Sequence, residues 1–325
     1  MRRWNTSIIM IILTGAFLFG VSPVYAQSDK NAESTPTAEE YYNSGSTKFK
    51  NGKLPEAISD LTKAIELNQN YAEAYFNRGF VYVNQGDLPK AITDFTKAIE
   101  LKPDNSETYY NRGFAYASQG DMPGAITDFT KAIEMKPDDA EAYYNRGFAY
   151  ASQGDLPGAI SDFTKVINMD SKFEGAYCNR GIAYYKQDKL PEAVSDFTKA
   201  IEINPNDAKP YFSRGIAYYK QGKFPEAVSD FTKAIKINRD DARAYLSRGV
   251  VYYNQGDIPK AISDYTKAIG IIPKYAEAYS NRSGAYYTQK EYNKSWKDLH
   301  KAEELGYAVD PELVKNLKKA SGKDN

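Results

Sequence analysis

The sequence contains one histidine, His300, and one cysteine, Cys178. A thiol nucleophile needs an imidazole within hydrogen-bond reach. These two residues are separated by enough chain to form several helices, and helices pack about 8–10 Å apart. No Cys-His pair is expected, and no spacing matches a metal site, a phosphate-binding loop or a dinucleotide fingerprint. What the chain carries in quantity is recurring polar chemistry. Arginine returns as Arg78, Arg112, Arg146, Arg180, Arg214, Arg248 and Arg282, and aspartate as Asp60, Asp94, Asp128, Asp162, Asp196, Asp230, Asp264 and Asp298. A guanidinium and a carboxylate can pair bidentately. Asparagine returns as Asn43, Asn77, Asn111, Asn145, Asn179 and Asn281, with Ser213 and Ser247 completing the series. Each amide offers a donor and an acceptor to a main chain, whatever that chain's side chains are.

These series share a step of 34 residues, which also relates Gly45, Gly79, Gly113, Gly147, Gly181, Gly215, Gly249 and Ser283. A fixed period of this length marks a stacked array of supersecondary units. Eight units begin at Ala38, Ala72, Ser106, Ala140, Glu174, Ala208, Ala242 and Ala276, and the last ends at Val309. In the second unit Tyr75, Gly79 and Tyr82 share a helix face. Gly86 supplies a turn, Asp87 can cap the next helix, and Pro89 sits in that helix's first turn. Ala91, Phe95, Ala98 and Ile99 form the second apolar stripe. Each unit is therefore expected to be a helical hairpin, with positions 7 and 23 at the same height on facing helices, so that Arg and Asp form a structural pair.

Tyr75-x2-Arg78-Gly79-x2-Tyr82, Ala91-x3-Phe95 and Pro103 together resemble the tetratricopeptide repeat, over residues 38–309. Tyr replaces the family's Trp at position 4 and Arg its Leu at position 7. The resemblance implies an all-α superhelix, a solenoid of helical hairpins, whose first helices line a concave groove that receives a peptide.

On that groove the resemblance places Asn77, Asn111, Asn145 and Asn179 at position 6, similar to the asparagine ladder in the repeat arm of O-linked N-acetylglucosamine transferase. Beside them are Phe76, Tyr110, Tyr144 and Phe212 at position 5, and Phe80, Phe114 and Phe148 at position 9. Tyr185, Tyr219, Tyr253 and Tyr287 stand at position 12. These aromatics either meet a partner's apolar side chains or serve packing between repeats. At position 2, Glu39, Glu73, Glu107 and Glu141 give way to Gly175, Lys209 and Arg243, while Lys186 and Lys220 stand at position 13. Lys186, Lys209, Lys220 and Arg243 are read as a basic pocket for an acidic segment or a C-terminal carboxylate. The carboxylate clamp of chaperone-binding family members is matched only in part.

The remaining segments are short. Arg2 and Arg3, an apolar run from Ile8 to Val21, and Val24-Tyr25-Ala26 read as a cleavable signal peptide, 1–26. Residues 27–37 read as a disordered linker, and 310–325 as a capping helix and tail that closes the stack. Formal net charge is zero, without the basic excess of a nucleic-acid binder. The expected protein is an exported, periplasmic or secreted, non-enzymatic scaffold without cofactor, with a peptide or protein partner. Contact with a membrane is expected only through an uncleaved signal. The alternatives are a self-associating envelope protein or an accessory subunit of an envelope enzyme.

Overall fold

Each unit folds as it does because its punctuation is local and its core is shared. At the end of its first helix, Gly86 takes φ +85°, a conformation that costs an L side chain about 1–2 kcal/mol. Its N–H donates to the Val83 carbonyl and that of Asp87 to the Tyr82 carbonyl, closing the helix. The Asp87 carboxylate then accepts from the Lys90 N–H to open the next helix, with Pro89 in its first turn. Asp121 and Asp155 repeat the cap.

The computed structural model describes residues 35–322. The expected signal peptide and all but the last three residues of the linker lie outside the described residues. From Ala38 onward the chain forms seventeen helices with no strand among the described residues. The first helices of the hairpins, called A helices, are α1 (Ala38–Lys50), α3 (Ala72–Gln85), α5 (Ser106–Gln119), α7 (Ala140–Gln153), α9 (Glu174–Lys186), α11 (Ala208–Lys220), α13 (Ala242–Asn254) and α15 (Ala276–Thr288). The second, B helices are α2 (Leu54–Leu67), α4 (Leu88–Leu101), α6 (Met122–Met135), α8 (Leu156–Met169), α10 (Leu190–Ile203), α12 (Phe224–Ile237), α14 (Ile258–Ile271) and α16 (Tyr292–Glu304). A final helix, α17 (Pro311–Ser321), follows.

The core is continuous because each hairpin buries its stripe against the next A helix. Ala91 and Phe95 of α4 pack with Ala115 of α5, and Ala125 and Phe129 of α6 with Ala149 of α7. The glycine at position 8 makes this approach possible: a Cβ on Gly181 would lie 2.8 Å from the Phe197 ring. In the last unit that glycine is Ser283, and its partners change with it. Phe gives way to Leu299 and Ala to Ser295, and the two buried serines exchange hydrogen bonds with each other's carbonyls at 2.8 and 2.9 Å.

The paired Arg and Asp series are realised as the spacing requires. In each of seven units the Arg Nε and Nη2 donate to the two oxygens of the unit's own Asp, as in Arg180–Asp196 at 2.8 Å each. The third donor crosses units: Nη1 of Arg180 reaches Thr164 Oγ1 of the preceding B helix at 2.9 Å. The guanidinium lies between two tyrosine rings, Tyr177 and Tyr184, each 5.8 Å away. Among the described residues no B helix precedes the first unit, and there Ser44 and Lys48 replace the arginine at Asp60.

Candidate functional site

Consecutive A helices touch one another directly, from α1 and α3 through to α13 and α15. The A helices therefore form the inner, more tightly curved side of the stack. Any side chain that points away from the B helices on this side faces a groove. Positions 2, 5, 6, 9, 12 and 13 stand there.

The position-5 aromatics are anchored before they are offered. Phe76 packs 5.8 Å from Phe95, and Tyr110 and Tyr144 each 5.7 Å from Phe129 and Phe163 of their own unit. All three are half-buried. Packing and exposure thus share one ring: the inner face belongs to the core and the edge to the groove. Phe80, Phe114 and Phe148, half-buried one turn further on, form a row across α3, α5 and α7.

The asparagines do more within the array than their type suggested. Asn145 donates to the Tyr110 hydroxyl and Asn179 to the Tyr144 hydroxyl, each at 2.8 Å, joining successive A helices. Asn77 donates to Ser46 at 3.0 Å and also bonds Tyr42. Asn111 instead turns back to the Glu107 carbonyl of its own helix at 2.8 Å. The difference follows from position 5 of the preceding unit, which is Tyr42, Tyr110 or Tyr144 in the first three cases and Phe76, with no hydroxyl, in the last. Asn179 departs furthest from the expected reader of a ligand. It is 9 % exposed, and its Oδ1 accepts from Lys209 Nζ at 3.3 Å, so both ends of the amide are engaged.

The expected basic pocket is likewise partly neutralised from within. Lys220 pairs with Asp188 at 2.7 Å, and Arg243 grips Asp241 through Nε and Nη2 at 3.0 and 2.9 Å while lying over the Phe212 ring. Lys186 and Lys209 are exposed and have no carboxylate within 4 Å among the described residues. On the acidic side, burial raises the Glu107 and Glu141 carboxyls above the usual range, with Asp139 adding to the effect at Glu141. Tyr110's hydroxyl hydrogen-bonds Glu141 and so opposes that rise. Burial also pushes the Tyr144 phenol up to about 12.

Cys178 stands in α9 within this face but is 1 % exposed, and burial pushes its thiol up to about 12, the opposite of an activated nucleophile. His300 stacks on Trp296 in α16, 5.3 Å between ring centres. Among the described residues no group of three or more His, Cys, Asp or Glu side chains could hold a metal ion. Sequence reading passed over the threonines at position 25, from Thr62 to Thr266, that receive the crossing arginine bond. They recur at the same 34-residue step, which was the available signal.

Comparison with known proteins agrees with this architecture. The family model described as TPR repeat matches residues 45–86, 81–120, 115–154, 149–188, 183–222 and 217–256, and the model described as tetratricopeptide repeat matches 242–275. Together these cover well over half of the chain, which belongs to the tetratricopeptide-repeat family. Among solved structures, it is similar to a tetratricopeptide repeat protein from Parabacteroides merdae ATCC 43184, with 24 % identity, 79 % of this chain and 100 % of that one covered, and a TM-score of 0.60. It is also similar to MamA from Desulfovibrio magneticus RS-1, with 25 % identity, coverage of 52 % and 95 %, and a TM-score of 0.50. It is also similar to YrrB, described as a TPR protein with an unusual peptide-binding site, with 27 % identity, coverage of 57 % and 95 %, and a TM-score of 0.49. No curated protein matches the sequence.

Proposed function

We propose that this chain is a non-enzymatic scaffold that holds an extended peptide or protein segment along the inner face of its A helices. The observation that carries the reading is the row of half-buried Phe80, Phe114 and Phe148, with the amides of Asn77, Asn111 and Asn145 beside it on the same helices. Asn77 bonds both Ser46 and Tyr42, while the Asn111 and Asn145 amides each have one N–H committed to the array. The other N–H and the carbonyl oxygen can pair with a ligand's main chain, while the ring edges receive apolar side chains. Among the described residues no helix is long and apolar enough to cross a membrane. The pattern of Arg2, Arg3, the apolar run and Ala26 supports export to the periplasm or the medium.

The test uses a photo-crosslinking amino acid at Ser118, exposed on the inner face of α5, and at Glu134, exposed on the outer face of α6. In extracts from the compartment where fractionation finds the protein, a defined peptide segment should be captured at Ser118 and lost when Phe80 and Phe114 are changed to Ala. Equal capture at both positions, or capture of nothing but the chain itself, would refute groove binding.

A further inference from the structure

The inner face changes character between its fourth and fifth units, and three positions change together. Position 2 passes from Glu107 and Glu141 to Gly175 and then Lys209. Position 9 loses its phenylalanines, from Phe148 to Ile182, and position 12 gains tyrosines, from Ala151 to Tyr185. Three residues along a helix amount to about 4.5 Å, so the aromatic stripe moves nearly one turn at the point where the charge inverts. The tyrosines beyond the step are fixed in place: Tyr219's hydroxyl accepts from Asn254 at 3.0 Å, and Tyr253's meets Thr288 at 3.2 Å.

On each side of the step are charges without an internal counterion. Glu107, which is exposed, and Glu141, which is half-buried, have no ion-pair partner within 4 Å among the described residues. Lys136 attracts both from a distance. Burying a carboxylate without a counterion is unfavourable, so a cation arriving at half-buried Glu141 relieves a cost already present, and one arriving at Glu107 meets an exposed carboxylate without an ion pair. Beyond the step, Lys186 and Lys209 stand exposed, and Glu174 and Asp207 lie close enough to Lys209 to moderate its field. A uniformly acidic ligand would meet Glu107 and Glu141, and a uniformly basic one Lys186 and Lys209. Like charges brought together in a groove of reduced dielectric repel.

We propose that the groove's occupant is a bipolar extended peptide, with a basic block over the third and fourth units and an acidic block over the fifth and sixth. Its Lys or Arg side chains meet Glu107 and Glu141, its Asp or Glu side chains meet Lys186 and Lys209, and its aliphatic side chains rest on Phe114 and Phe148. This assignment rests on the groove-binding reading above. Adjacent helices that touch are about 8–10 Å apart and an extended residue spans about 3.3–3.6 Å. Two units therefore correspond to about five or six residues between the blocks.

Four fluorescent peptides of one length test it by anisotropy on the mature chain. Two carry Lys/Arg and Asp/Glu blocks around a five-residue aliphatic spacer, one in each chain order. The third has the same composition with alternating charges, and the fourth is uniformly acidic. One bipolar order should bind at least tenfold tighter than the alternating peptide at about 50 mM salt, with the margin shrinking near 0.5 M as charges are screened. In the charge-swapped chain, Glu107→Lys and Glu141→Lys with Lys186→Glu and Lys209→Glu, the preferred chain order should reverse. Equal binding of bipolar and alternating peptides would overturn the bipolar assignment and leave groove binding standing. Failure of all four, together with no peptide captured at Ser118, would overturn both.

Discussion

Replacing Arg180 by Met separates the electrostatic contribution of the arginine from the packing of its stem. The side chain is 16 % exposed and donates three hydrogen bonds, two to Asp196 and one to Thr164 in the preceding unit. Asp196 is 7 % exposed in its side chain, so after Arg180→Met its carboxylate is buried without a partner. Removing one member of a buried pair costs about 3–5 kcal/mol. Water reaches one edge of this guanidinium, which places the expected cost at the lower end, about 3 kcal/mol. Thr164→Val removes only the crossing bond together with the threonine's own bond to the Ile160 carbonyl, and should cost about 1 kcal/mol. Changing Arg180 and Asp196 together should cost less than the two single changes combined, with a coupling of about 2 kcal/mol. The assay is guanidinium unfolding followed by circular dichroism, fitted with nearest-neighbour terms because arrays are not two-state. A cost below about 1 kcal/mol for Arg180→Met, or zero coupling with Asp196, would refute the reasoning and reduce the pair to an exposed one.

Two glycines should respond in opposite directions to the same substitution. Gly181→Ala drives a Cβ to 2.8 Å from the Phe197 ring, itself 1 % exposed, and should destabilise by about 1–3 kcal/mol; Gly270→Ala, inside α14 with nothing within 4 Å of the new atom, should stabilise by about 0.5–1 kcal/mol, both read as denaturation midpoints. Alkaline stability reports on Cys178. Its folded-state thiol is raised to about 12 while the unfolded thiol titrates near the usual 9, so the folded chain holds the proton more tightly. Stability from this group is complete below pH 9 and is lost as pH rises toward 12, at about 1.4 kcal/mol per unit. Between pH 8 and 11 wild type should lose correspondingly more stability than Cys178→Ala, and an equal loss in both would refute the assignment.

The fold was legible because the buried positions recur from unit to unit, in seven or eight of the eight units. Gly at position 8, Ala at 20 and Phe or its substitutes at 24 recur with the hairpin punctuation, and even the exceptions agree among themselves, as Ser283, Ser295 and Leu299 do. The inner face of the A helices was legible as a face, and its hydrogen bonding was less so. Residue type alone suggested that Asn111, Asn145 and Asn179 were equivalent. Their hydrogen bonds instead depend on whether the residue 35 positions earlier is Phe76, Tyr110 or Tyr144. Lys220 and Arg243 read as free cations because Asp188 and Asp241 occupy turn and capping positions, which carry no sign in the sequence of pairing with a groove residue. Pairings that cross units need the stacking geometry, and a 34-residue periodicity does not specify it.

The ends of the array bear on which surface is left to bind. In the second unit and every later one, positions 3 and 10 are buried under the preceding hairpin, as Ala74 and Val81 are. In the first unit they are Glu40 and Thr47, both exposed, and the arginine that would cross to an earlier unit is Ser44. At the other end Leu317 of α17 is fully buried against Trp296 and Leu299, and Trp296 Nε1 donates to Ser321. Stacking one array on another would have to bury the exposed Glu40 at one end and displace α17 at the other, and taking a carboxylate out of water is costly. Elsewhere, Leu67 and Ile272 are exposed singly on different B-helix ends, as scattered apolar residues commonly are. The inner face of the A helices is where half-buried rings, amide groups and charges without internal counterions occur together on successive helices. The physical case for a ligand therefore rests on that face rather than on end-to-end assembly.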